Sequence, residues 1–184
     1  MQTIRARRLA AKCLADSRSQ RWQHVQGVAH RAEQVGSLGV DDPLVCAAWL
    51  HDVGYGPAAA ASGLHALDGP RWLAALDVDP LVVSLVAFHT GAEFEAEERG
   101  LLDQLEHFVR PPQALLDLLI LCDLTVSPHG HDVDVTARID EIVTRYGERD
   151  PVHLAVRRSS AYLRSCFARA ASAVSAEERG IAVF

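Results

Sequence analysis

The residues with the most chemistry in them close one apolar run, Ala47-Ala48-Trp49-Leu50-His51-Asp52-Val53-Gly54-Tyr55-Gly56. Sequence neighbours on a helix point about 100° apart. Near a helix end His51 and Asp52 can still reach one point, because Gly54 can stop the helix and let the chain turn away. A neutral imidazole and a carboxylate meeting at one point suit a divalent metal of the manganese, iron or zinc type. Four further residues of the same kinds lie in the chain: His24 upstream, then His65, His89 and Asp123 downstream. The order is His, His-Asp, His, His, Asp, with no thiolate at matching positions. That composition disfavours a structural zinc site, which would be rich in cysteine.

This order resembles the HD-domain metal-dependent phosphohydrolase superfamily. The core of the resemblance, His24…His51-Asp52…Asp123, covers roughly residues 20 to 127. The fuller order with His65 and His89 resembles HD proteins that hold two metal ions. The His89-Thr90-Gly91 and His65…Gly69 pieces are similar to HD hydrolases that cleave dinucleoside tetraphosphates. Two positions depart from relatives: Tyr55 stands where many carry lysine or glutamate, and Phe88 precedes His89 where some two-metal members have a second histidine.

The resemblance implies a metal-dependent phosphohydrolase with a metal-activated water, acting on a nucleotide or other small phosphate ester or anhydride. His51 and Asp52 would be the catalytic pair. His24, His51, Asp52 and Asp123 would hold one ion with positions open for water; with His65 and His89 a second ion fits, bridged by Asp52. Iron or manganese is favoured, with cobalt, zinc, nickel and magnesium also allowed. Arg21 and Arg71, near His24 and His65 in sequence, are candidates to hold phosphate oxygens by forked hydrogen bonds. The same order also fits a non-catalytic nucleotide-binding or sensor domain, or a di-iron oxygenase.

The elements that must position these residues read as helix, turn, helix, with almost no strand-like alternation. The expected fold is all-α, one helical bundle spanning residues 1–184, with C-terminal helices from about 133. A first helix is expected from Thr3 to Asp16. A second runs from Ser19 or Gln20 to Ser37 and ends at Gly39, with Val25, Val28, Ala32 and Val35 as its apolar stripe and His24 on the border. His30 lies about 120° around that helix from His24 and reads as surface. Asp42-Pro43 is a cap followed by a first-turn proline. The helix that it opens is apolar nearly all round, which places it at the centre of the bundle.

Residues 54–63 read as a loop that could form a lid, and Leu64 to Leu76 as a helix with His65 in its first turn. Asp79-Pro80 repeats the cap-and-proline start, and the helix after it stops at His89. Residues 92–108 read as one acidic helical stretch with Glu93, Glu95, Glu97 and Glu98 on a solvated face. An apolar helix from Gln113 to Val126 carries Asp123 near its end. His129 and His131 read as solvated. Residues 133–146 are amphipathic, Asp150-Pro151 opens the last long helix, and Ser175-Ala176-Glu177-Glu178 resembles a capping box opening a short terminal one. His51 and His89 both stand where an apolar helix stops before a glycine. Such ends gathered on one side would form a cleft lined by imidazoles and carboxylates.

Composition excludes several classes. Hydrophobic content is 49% and charged content 23%, ordinary for a globular chain, and no apolar run approaches the roughly 20 residues of a membrane span. Lys12 and Asp16 interrupt any signal-type apolar core. The four cysteines are scattered and read as buried thiols in a reduced, cytoplasmic compartment. Net charge is -6 with the basic residues dispersed, so a nucleic-acid polymer has no electrostatic footprint. The expected partner is a small phosphate compound, with no membrane; a homodimer is compatible.

Overall fold

A computed structural model of the chain describes residues 2–14, 19–36 and 42–178. In chain order the helices are α1 (Thr3–Leu14), α2 (Gln20–Val35), α3 (Pro43–Leu50), α4 (His65–Ala75), α5 (Pro80–Phe88), α6 (Ala92–Glu98), α7 (Leu102–Leu105), α8 (Gln113–Leu124), α9 (Val135–Arg145) and α10 (Pro151–Glu178). Short 3-10 turns follow α3 (Val53–Tyr55) and α5 (His89–Gly91). Among the described residues the only β pairing is a single bridge, Val126 with Asp132. The protein is all-α, as its sequence pattern predicts.

Local chemistry sets the helix starts. Ser19 accepts the Trp22 amide at the head of α2, Asp42 accepts the Leu44 amide before α3, and Asp79 accepts the Leu81 amide before α5. Asp134 accepts two amides before α9, and Asp150 accepts the Val152 amide at α10. Each cap satisfies amides that would otherwise lack partners. Every residue of α3 from Leu44 to Leu50 is buried, and the helix packs against α1, α2, α5 and α8. An element apolar all round has no solvent face to offer, so the bundle closes about it. The long α10 lies along α8, α9 and α6 on the other side of the molecule.

Several boundaries differ from the sequence expectation. The ends expected for the first two helices, Asp16 and Ser37 to Gly39, lie outside the described residues. The acidic stretch is two helices, α6 and α7, separated at Gly100, whose φ of 66° is left-handed. Glu95 faces inward and bonds Arg99, so it does not belong to the solvated face. The Ser175-Glu178 motif opens nothing: α10 runs through it. A capping box starts a helix only where the preceding chain is not already helical. No described helix is long and apolar enough to cross a membrane.

Candidate metal centre

Helix ends converge on one point of the bundle. His51 is the C-cap of α3, His89 follows the end of α5, and His65 opens α4. Asp123 lies in the last turn of α8, and His24 one turn into α2. His24, His51, Asp52, His89 and Asp123 are buried; His65 retains 14% side-chain exposure.

The backbone after His51 explains how His65 arrives. Gly54 does not stop α3 by a left-handed turn, as the sequence suggests. The helix ends earlier, at Leu50, and the chain enters a 3-10 turn. Gly54 is needed for contact: a Cβ there would lie 2.0 Å from the carbonyl oxygen of His65. Only glycine lets the start of α4 press on this turn. The loop expected to form a lid is tied down, since buried Asp68 accepts the amides of Ala61 and Ser62. Its residues 57–63 do not line the cavity.

The imidazoles are oriented by the backbone. Nδ1 of His51 lies 2.8 Å from the Ala48 carbonyl, Nδ1 of His89 2.6 Å from Val86, and Nδ1 of His24 3.2 Å from Ser127. A carbonyl can only accept, so in each ring Nδ1 carries the proton and Nε2 of the neutral form presents a lone pair to the centre. Those nitrogens meet acceptors and one another. Nε2 of His24 is 2.8 Å from Asp123 Oδ1, Nε2 of His65 is 3.2 Å from Nε2 of His89, and Nε2 of His51 is buried with no hydrogen-bond partner among the described residues.

The side chains fall into two groups, His24, His51 and Asp123 and then Asp52, His65 and His89, with the ligand atoms of each group within 4.8 Å of one another. Asp52 joins the groups. Its Oδ2 is 3.6 Å from His51 Nε2, and its Oδ1 is 3.8 Å from His65 Nε2. These two buried His/Asp groups can hold metal ions. Lone pairs facing lone pairs repel unless a cation lies between them, and a proton relieves only one such contact. The Nε2 atoms of His65 and His89, 3.2 Å apart, are close enough for one ion to be held by both.

Three neighbours complete the site. Arg21 donates to Asp52 Oδ2 at 2.7 Å, and its guanidinium lies 3.7 Å above the Tyr55 ring, which stacks on His65 at 4.1 Å. The carboxylate keeps acceptor capacity beyond this bond, so Arg21 and a cation can share it. Thr90 donates its hydroxyl to Asp123 Oδ2. Thr90 has φ 53° and ψ 28°, a left-handed conformation that is strained for a β-branched residue. Burial opposes charge on Asp52, yet Arg21 and then the imidazoles hold its carboxyl well below the usual range. Burial also lowers His51 and lowers His65 further, with His89 adding to the second shift, which keeps both neutral and fit to ligate.

All six predicted ligands come together, and so does Arg21. Arg71 does not: it is exposed and donates to Gln104, outside the cavity lining. Lying six positions after His65 on α4, it projects about 120° away around the helix and cannot reach the same side. Sequence reading passed over Thr90, Glu95, Arg138, Arg145 and Tyr146, which all line the cavity. The signal for Thr90 was its place between His89 and Gly91; α9 carries no comparable mark. His129 and His131 are exposed, as expected, and all four cysteines are buried. No family model matches the chain, and no curated protein or solved structure matches it significantly.

Proposed function

We propose that this protein is a metal-dependent phosphohydrolase of the HD type, acting through a two-ion site on a small phosphate ester or anhydride. The observation that carries this reading is the pair of His/Asp groups joined through the two oxygens of Asp52, with Nε2 of His51 in the first group buried and without a hydrogen-bond partner among the described residues. His24, His51 and Asp123 would hold one ion, His65 and His89 the other, and Asp52 both. Iron or manganese suits this mixed nitrogen and oxygen set, with cobalt, zinc or nickel next. Bound there, the ions would supply a hydroxide-like nucleophile near neutral pH and neutralise phosphate charge.

The chain's own residues do the positioning. The carbonyls of Ala48, Val86 and Ser127 fix three imidazole rings, and the Thr90 hydroxyl fixes Asp123. Arg21 is held by Asp52 and by the Tyr55 face, so its remaining N–H groups are oriented before a phosphate arrives. Hydrolysis forms one new O–P bond, breaks the P–O bond to the leaving group and delivers a proton to the leaving oxygen. The cavity holds about 80 Å³, several times what one water needs, so a phosphate group enters and a larger leaving group extends through the mouth.

The test is elemental analysis of protein purified without chelator, followed by phosphate release from a panel of esters and anhydrides, with an oxygen-uptake control. Close to two equivalents of iron or manganese, with phosphate released, is the expected result. A protein that holds no metal and takes none up from manganese, iron, cobalt or zinc overturns the reading. Oxygen consumption without phosphate release replaces hydrolysis by redox chemistry.

A further inference from the structure

The cavity has a second charged wall that the metal reading leaves unused. Arg138 projects from the buried face of α9, is only 6% exposed, and lines the cavity together with His24 and Asp123. Its Nη1 donates to Glu141 at 2.5 Å, while its Nε is buried without a hydrogen-bond partner among the described residues. Arg145, two turns further along the same helix face, gives both Nε and Nη2 to the other oxygen of Glu141, at 2.9 and 2.5 Å. Two guanidiniums therefore share one carboxylate, and this wall carries a net positive charge. An arginine cannot shed its proton in a protein, so a buried guanidinium with an unmet donor is costly unless something accepts from it. Asp123 is not that acceptor: among the described residues its hydrogen bonds are to His24 and Thr90.

We propose that Arg138, flanked by Arg145, is an oxyanion subsite for a second anionic group of the ligand, beside the group that reaches the two His/Asp triads. Resting on the phosphohydrolase reading above, this narrows the substrate class to compounds with two neighbouring oxyanions, a phosphate at the metal site and a phosphate or carboxylate next to it. The guanidinium edge formed by Nε and Nη2 matches a tetrahedral or planar oxyanion by two parallel hydrogen bonds, which lysine cannot reproduce. Arg21 and Arg138 then grip the ligand from opposite chain segments, α2 and α9.

The probes are methylphosphonate, methylenediphosphonate and phosphonoacetate, none of which is hydrolysed. Calorimetry on the manganese-loaded full chain should show the two-headed probes binding about ten-fold or more tighter than methylphosphonate, the scale of one charge-assisted hydrogen bond. Arg138→Gln should bring that ratio close to one while manganese content and methylphosphonate affinity stay as they were. Arg138→Lys should leave an intermediate ratio. In wild-type protein the Arg138 Nε–H resonance should move with the two-headed probes and not with methylphosphonate, a readout that stands if the glutamine variant fails to fold. Comparing diphosphonate with phosphonoacetate tells which second group is preferred. A ratio near one in wild type, or an Nε–H resonance unmoved by every probe, overturns the proposal and leaves Nε to water. If the protein binds no metal, the phosphohydrolase reading fails on its own, and the same resonance in the metal-free protein still decides: a shift with diphosphonate supports the subsite, and none removes it.

Discussion

Helix α8 carries two buried aspartates six residues apart, which the helix turns about 120° away from each other. They are neutralised in different ways. Asp117 receives Arg169 as a fork, Nε on Oδ2 at 2.6 Å and Nη2 on Oδ1 at 2.8 Å, and Gln113 adds a third bond at 2.8 Å. One permanent cation matches one carboxylate, and the pair fastens α8 to α10. Asp123 has no such cation. Among the described residues its ion-pair partners are the imidazoles of His24 and His51, and Thr90 donates its hydroxyl. Both carboxylates are nearly inaccessible to solvent. What separates a structural carboxylate from a candidate ligand is the partner: a guanidinium that completes the charge, or imidazole nitrogens that can share a cation with it.

The largest expected effect comes from breaking the Asp123 side. Asp123→Ala should weaken metal binding by at least about 100-fold, since losing even an outer hydrogen-bond partner of a metal ligand costs about 10–100-fold. Helical circular dichroism should be retained, because the substitution removes a buried charge that the metal-free protein can do without. Metal content and phosphate release measure the first part. Full metal occupancy in the variant would return Asp123 to the same structural role as Asp117.

Acid should separate the two regions next. His51 and His65 lie below the ordinary imidazole value, chiefly through burial. The unfolded chain takes up protons at these residues below about pH 6.5, and the folded one refuses them. Their contribution to stability is therefore present above that pH and is lost as pH falls toward the folded values, by up to about 1.4 kcal/mol per pH unit for each excluded proton. Asp117, for which burial opposes charge but Arg169 and Gln113 prevail, lies below the usual carboxylate range. Its contribution holds above about pH 4, the unfolded value, and is lost only below it. Urea unfolding of metal-free protein between pH 5 and 7 should thus report the histidines and not Asp117. Constant stability from pH 7 to pH 5 would show that the folded imidazoles take up protons in step with the unfolded chain.

How much of this was legible in the sequence follows from the range of each signal. Asp42-Pro43 and Asp79-Pro80 act over three residues, and both helix starts stand where the sequence puts them. The six candidate ligands stand out in the sequence by residue type and by an order that resembles the HD superfamily. Local sequence does not distinguish Asp117 from Asp123, because each sits in a leucine-rich run; only the resemblance selects Asp123, and the structural difference lies in Arg169, 52 residues from Asp117. Arg71 was misplaced for a related reason: nearness to His65 along the chain says nothing about the face it projects from. Gly54 could be recognised as necessary, but its contact with the His65 carbonyl is a tertiary fact. Arg138 lies on an amphipathic helix where any arginine reads as surface, and only packing shows that it is covered.

Breaking the Asp117 side should cost stability and nothing else. Asp117→Asn keeps the shape and removes the charge facing Arg169. Arg169 is about half exposed, so solvent partly compensates and the loss belongs at the modest end for a charged hydrogen-bonded pair, about 1–3 kcal/mol. Chemical unfolding measures it, and metal content should equal that of wild type. If metal is lost as well, α8 is not held independently at its two ends and the contrast between the aspartates fails.

The finest test concerns the neutral donor at each carboxylate, Gln113 for Asp117 and Thr90 for Asp123. Thr90→Val keeps the β-branched shape and the strained backbone and removes only the hydroxyl. If Thr90 is held at φ 53° in order to aim that hydroxyl at Asp123, the variant should fold with near wild-type stability and bind metal about ten-fold more weakly. Gln113→Leu should show the reverse, unchanged metal affinity and a stability loss of about 1 kcal/mol. Competition with a chelator of known affinity measures the first and urea unfolding the second. Strain at a residue that only packs would be relieved over time by substitution. Strain at a residue that orients a ligand persists because the bond it makes outweighs the backbone cost, and unaltered metal affinity in Thr90→Val would reduce Thr90 to packing.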